Sequence, residues 1–214
     1  VFEGVGTYVR HSWQVLRQNP DVAKFLVANA AWEGTFAGAR TFVVLYITVG
    51  LHEPLGTSTL VLAAVAAGYM VAALVSGPVG DRLGLARVIT ACSVVYAAGM
   101  LLGGLAQRWH WWYVPVVFVV ALFAGSVMTL AWGLLFKLMP AHDRGAISGL
   151  ATTTKGFGLL IGPLLAGVVI DLLHKHLEAT EGYAALWPVL GIPILLGIPF
   201  VASLVRAEET ASSA

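Results

Sequence analysis

Apolar residues run along this chain in long blocks separated by short polar connectors, and each block is far longer than a strand. Six blocks occupy residues 22–50, 56–79, 86–106, 112–137, 147–173 and 183–205. A hydrocarbon core about 30 Å thick needs about 20 helical residues to cross it, and every block meets that length. The connectors carry turn formers: Pro54 and Gly56, Gly80 and Gly84, Pro140, and Gly182. Only structures that satisfy their own backbone hydrogen bonds survive in lipid, so the pattern predicts an all-α membrane protein of six transmembrane helices. Residues 1–21 break the pattern. There Trp13, Val15 and Leu16 alternate with Arg10, Gln14 and Arg17, a cytoplasmic linker or surface helix that delivers the chain to a first span starting near Asp21. Residues 206–214 turn polar again and read as a cytoplasmic tail after the 22–205 bundle.

Composition agrees with the pattern. Hydrophobic residues make up 58% and charged residues 11%, against about 25% charged in a soluble domain, and the mean hydropathy is +0.85. A net charge of +1 argues against nucleic acid as a partner and leaves membrane lipid as the surrounding medium. The single Cys92 lies in an apolar run where neither a disulfide nor a metal site can form, and no cofactor is expected. His174-x-His176 lacks a third ligand and reads as a solvated loop. The chain opens on Val1, and its first apolar run is too long and too charged for a cleavable signal; we expect a piece of a longer polypeptide.

Lys and Arg set the orientation. Arg10, Arg17, Lys24, Arg82, Arg87, Lys137, Arg144 and Arg206 fall on one side of the six spans, against Arg108 and Lys175 on the other. The richer side is expected to be cytoplasmic, with both termini inside, in a cell membrane. Trp109, Trp111, Trp112 and Tyr113 then sit at the outer interface, where amphipathic rings are favoured.

Charges within spans are the candidate chemistry, because an ionised group at the bilayer centre costs roughly 3 kcal/mol and needs a cavity or a partner. Glu33 and Arg40 lie in the first span and Lys155 in the fifth. Asn29, Glu33, Ala37 and Arg40 share one stripe of a helix, since seven residues return to within about 20° of the same direction. Ser148, Thr152 and Lys155 form a comparable stripe. Glu33 is about 18 Å along its helix from Asp21 and Lys155 about 13 Å from Ala146, which puts the two at similar depth. Gly99-x-x-x-Gly103 and Gly158-x-x-x-Gly162 allow close helix packing.

Two motifs carry a resemblance. Gly77-Pro-Val-Gly-Asp81-Arg82-Leu-Gly84-Leu-Ala-Arg87 is echoed in part by Gly167-x-x-x-Asp171, a weak internal repeat that suggests three spans plus three in inverted topology. The same loop resembles the signature between the second and third helices of a major facilitator superfamily half, Gly-x-Leu-Ala-Asp-Arg-x-Gly followed by two basic residues. Gly77, Asp81, Arg82 and Gly84 match; Leu85 and Ala86 occupy the basic positions, and Arg87 arrives one residue late. Pro140-x-x-x-Arg144-Gly145-x-x-x-Gly149, running to Gly162-Pro163-x-x-x-Gly167, resembles the loop and fifth helix of such a half.

The resemblance implies half of a twelve-helix transporter built as a 3+3 inverted repeat. The degraded signature, the long basic leading segment and the absence of arginine from the fourth span fit the C-terminal half, so a missing N-terminal six-helix bundle is the expected partner. It implies a secondary active transporter of a small-molecule substrate, proton-coupled and working by alternating access, and not an enzyme. Neighbouring first and fifth helices would let Glu33 pair with Lys155. Asn29, Glu33, Arg40, Thr152 and Lys155 are then the substrate or coupling residues. Gly77, Asp81, Arg82, Gly84 and Arg87 form a conformational latch, with Asp81 bracing a helix end on the absent bundle. A polytopic scaffold and a six-helix carrier acting as a homodimer remain the alternatives. The substrate is open among sugars, organic anions and amphipathic drugs.

Overall fold

The computed structural model describes residues 10 and 12–213, and over that range the chain is almost entirely helical. Residues 1–9 of the leading segment lie outside the described residues. A short helical stretch at residues 12–18 inserts Val15 into the core, and Asn19 then turns the chain, its side-chain amide donating to the Val15 carbonyl. Six long helices follow: α1 (Pro20–Leu45), α2 (Leu55–Leu83), α3 (Leu85–Gly103), α4 (Tyr113–Leu138), α5 (Arg144–Leu173) and α6 (Leu186–Ser213). A π-helical turn, Tyr46–Gly50, prolongs α1. Single 3-10 turns at Glu178–Thr180 and Tyr183–Ala185 lead into α6.

Five stretches, corresponding to α2 through α6, are long and apolar enough to cross a membrane, the last running over Tyr183–Thr210. Helix α1 has the length, at 26 residues, but carries Glu33 and Arg40 in its interior. The chain is an integral membrane protein.

Helices alternate in direction, so the α2–α3 turn, the α4–α5 loop, and the start of α1 and end of α6 share one basic end. Trp109, Trp111, Trp112 and Tyr113 stack edge-on at the other end. The principal packing partners are α1 with α5, α2 with α4, and α3 with α6; α1 also packs on α6, and α3 on α4. One apolar cluster fills the basic half of the bundle around Phe25, Trp32, Ile89, Leu134, Ile147 and Leu204. A smaller one fills the aromatic half around Ile47, Val61, Ile170 and Leu190.

Glycines set the closest crossings. A methyl at Gly162 would collide with the backbone of Gly34, and one at Gly34 would meet the Gly158 carbonyl at 3.2 Å. At the other crossing, a methyl at Gly68 would stand 2.7 Å from the Phe118 carbonyl, and one at Gly125 would stand 2.9 Å from Ala72 Cβ. At both crossings only a missing side chain lets the backbones come this near.

Helix boundaries differ from the apolar blocks at the basic end. Helix α2 continues through Asp81 and Arg82 to Leu83, so the loop expected over residues 77–88 reduces to Gly84, whose φ of 90° suits glycine. Helix α6 likewise runs through residues 206–213, so the expected tail prolongs the last helix. Hydropathy marks where the hydrocarbon ends, whereas backbone hydrogen bonding carries a helix on into water.

Candidate functional site

The pairing of α1 with α5 brings the intramembrane charges together. Lys155 Nζ lies 2.9 Å from Glu33 Oε1, with the Glu33 side chain 7% exposed and that of Lys155 39% exposed. Glu33 reaches this position because Gly158, one turn beyond Lys155, lets α5 lie against α1: a methyl there would sit 3.3 Å from Glu33 Cβ. The buried carboxylate is therefore held from one side by packing and from the other by an ammonium that is itself less enclosed by the bundle.

Around the pair, the expected site residues divide. Asn29 is buried on the same stripe of α1, one turn toward the basic end. Arg40, two turns the other way, is exposed. Thr152 is exposed on α5, but its hydroxyl donates to the Ser148 carbonyl at 3.0 Å. Thr153 and Thr154 donate to their own helix in the same way. These hydroxyls serve the α5 backbone, whereas Glu33, Lys155 and Arg40 hold the charge. Trp32 packs edge-on against Phe25 at 6.1 Å and is buried in the core, turned about 100° around α1 from Glu33.

Helix α1 is tied to α6 by the Thr35 hydroxyl, which donates to the Leu190 carbonyl at 2.7 Å. At its far end the Tyr46 hydroxyl donates to the Ala106 carbonyl at 2.8 Å, and its ring meets Trp187 edge-on at 5.0 Å. Between these anchors Ala37 is half-buried and Arg40 exposed. Among the described residues no group of His, Cys, Asp and Glu is arranged to hold a metal.

A second charged cluster closes the basic end, and its centre is a residue that the sequence reading passed over. Glu208, buried near the end of α6, accepts from the Leu85 amide at 2.9 Å through Oε1 and from the Ala86 amide at 2.8 Å through Oε2. Lys137, at the end of α4, donates to the same Oε1 at 3.0 Å. Arg87 pairs with Glu209 alongside. Glu208 thus caps the first turn of α3, where free amides and the helix dipole favour an anion. The cap falls on Leu85 and Ala86, the two positions where the loop signature has basic side chains. Asp81, Arg82 and Gly84 line one open cleft with Arg87, Lys137, Glu208 and Glu209. Gly77 lies inside α2 with open space around it. Of the expected latch residues, Gly84 makes the turn, Arg87 joins the ion pairs, and Asp81 and Arg82 are exposed on the last turn of α2. The signal for Glu208 was an acidic pair following an apolar helix, and no local pattern distinguishes it from a solvated tail.

Comparison with known proteins gives this geometry a family. The family model for the Major Facilitator Superfamily matches residues 25–214. An uncharacterized MFS-type transporter of Mycobacterium tuberculosis is 32% identical over 106 residues, covering 50% of this chain and 15% of that protein. The solute carrier family 2 facilitated glucose transporter member 2 of Gallus gallus is 29% identical over 203 residues, covering 92% of this chain and 35% of that protein. Multidrug resistance protein 3 of Bacillus subtilis is 27% identical over 118 residues, covering 52% and 22%. The chain therefore spans between 15% and 35% of the length of these relatives. With a match running from within α1 to the last residue, this integral membrane protein belongs to the Major Facilitator Superfamily.

Proposed function

We propose that the chain is the C-terminal six-helix half of a secondary active transporter that moves a small solute by alternating access, coupled to protons through Glu33. The observation that carries this reading is the Glu33–Lys155 pair, a buried carboxylate held at 2.9 Å by an ammonium that the bundle leaves partly uncovered. A carboxylate taken out of water binds a proton more readily unless a cation holds it ionised. Movement of Lys155 relative to Glu33 would therefore change the charge balance at the carboxylate between two states, which is what coupling to an ion requires.

Support for six spans in a 3+3 inverted repeat comes from the packing partners. Exchanging α1 with α4, α2 with α5 and α3 with α6 turns each principal helix pair into another observed pair or into itself. Gly68 and Ala72 at one crossing are followed by Gly158 and Gly162 at the other, at the offset that relates Gly77 and Asp81 to Gly167 and Asp171. The expected partner is a second bundle of the same polypeptide, with lipid around both. It would cover the faces of α2 and α5, which among the five apolar stretches are the least buried. The basic end is assigned to the cytoplasm on its excess of Lys and Arg. In the full transporter, Asp81, exposed at the end of α2, would brace a helix end of that bundle in the closed state.

Cysteine accessibility tests the arrangement. In the full polypeptide, Ala37→Cys and Arg40→Cys should react with a membrane-impermeant thiol reagent from one side at a time, the reactive side switching when solute is added. A scaffold without a solute pathway predicts no reaction at this depth, and that outcome would remove the transporter reading.

A further inference from the structure

We propose that the solute accepted by the open face of α1 carries an anionic oxygen group, a carboxylate or a phosphate, and that Arg40 is the residue that docks it. This rests on the transporter reading and names the substrate class of the same face. The first observation is that Arg40 is exposed at membrane depth and, among the described residues, makes no ion pair, hydrogen bond or ring contact. Its neighbour Thr41 supplies nothing, because that hydroxyl donates to the Ala37 carbonyl at 2.8 Å. The second observation is charge balance. Glu33 and Lys155 neutralise each other at 2.9 Å, which leaves the guanidinium as the uncompensated charge on the stripe.

An uncompensated cation within a membrane span faces water, a partner or a ligand. Helical side chains lean toward the N-terminus of their helix, which for α1 is the basic end. That tilt starts the Arg40 side chain toward the depth of Ala37 and the Glu33–Lys155 pair, within reach of an anion bound beside them. The planar guanidinium presents two parallel donors that fit the paired oxygens of a carboxylate or phosphate, a match that a neutral hydroxyl cannot make. Ala37, one turn below, is small enough to leave room for such a group beside it. The proton site and the anion site would then lie about 10 Å apart along one helix, separate but on one face.

The test reads electrostatics at Ala37 and needs no identified substrate. Ala37→Cys is made in the full polypeptide in a Cys92→Ala background and reconstituted in zwitterionic vesicles. Its modification rate is measured with methanethiosulfonate reagents carrying either a sulfonate or a trimethylammonium group, each normalised to a free thiol in solution. An unpaired guanidinium about 6 Å away should favour the sulfonate reagent roughly tenfold. Arg40→Lys should keep that preference, Arg40→Gln should bring it near unity, and millimolar inorganic phosphate should reduce it in the parent. If the thiol reacts with neither reagent, the open-face reading fails and this proposal with it. If it reacts with both and the ratio ignores Arg40→Gln, the pathway stands and the anion assignment is overturned, as for an Arg40 paired with an acid elsewhere in the polypeptide. Loss of the preference only in vesicles containing phosphatidylglycerol would assign Arg40 to a lipid headgroup and overturn the solute proposal.

Discussion

Removing Lys155 isolates a buried carboxylate, and the cost follows from the geometry. At 2.9 Å, with an effective dielectric of about 20, the attraction between Lys155 and Glu33 is roughly 6 kcal/mol. Much of that is offset by desolvation of the two groups, and the Lys155 side chain, 39% exposed, is the less enclosed of the two. Lys155→Met should cost about 3 kcal/mol, because Glu33 stays buried without its cation. Glu33→Gln should cost only about 1 kcal/mol, since the ammonium left behind sits on the less enclosed side of the pair and can swing out along its flexible stem. The double variant then loses about 2 kcal/mol, so adding Glu33→Gln to Lys155→Met restores stability, the signature of direct coupling. The assay is SDS titration of the purified full polypeptide in mixed micelles, followed by far-ultraviolet circular dichroism. Additive losses, with the double variant weaker than either single one, would refute the pairing as an energetic unit.

Three further outcomes follow from the helix ends and crossings. Glu208→Ala strands the Leu85 and Ala86 amides together with Lys137 and should cost about 2–4 kcal/mol in the same titration, whereas Glu208→Gln, which keeps an acceptor oxygen, should lose less. Gly162→Ala drives a methyl into the Gly34 backbone and should cost about 3 kcal/mol or more, while Gly156→Ala, with open space around it, should stay within about 0.5 kcal/mol; equal effects would contradict the close crossing. Asp81→Asn should change the rate of conformational switching, read by single-molecule fluorescence transfer across the basic ends, and leave substrate affinity in place; collapse of affinity with unchanged switching would remove the latch.

What the sequence reveals depends on whether the signal is local. Glu33 and Lys155 were legible as a pair because charges within apolar spans are rare, and helical rise alone places them at one depth. The resemblance supplied the remaining step, that the first and fifth helices are neighbours. Glycine spacing likewise anticipated close packing on α5, although it did not reveal that Gly162 faces Gly34. The Glu208 cap was not legible: its two amide partners lie over a hundred residues away, and backbone donors leave no mark in a sequence. Asp81, expected in a connecting loop, instead stays on the last turn of α2, because Gly84 alone makes the reversal. Trp32 shows the limit of adjacency, since the residue beside a buried carboxylate points about 100° away, here into the core.

The central claim is that Glu33 couples solute movement to protons, and its most direct measurement is solute accumulation by the reconstituted full polypeptide under an imposed pH gradient. With Glu33→Gln, the account predicts that the gradient no longer drives accumulation while downhill exchange of the same solute continues. Accumulation that remains undiminished and still follows the pH gradient would contradict it.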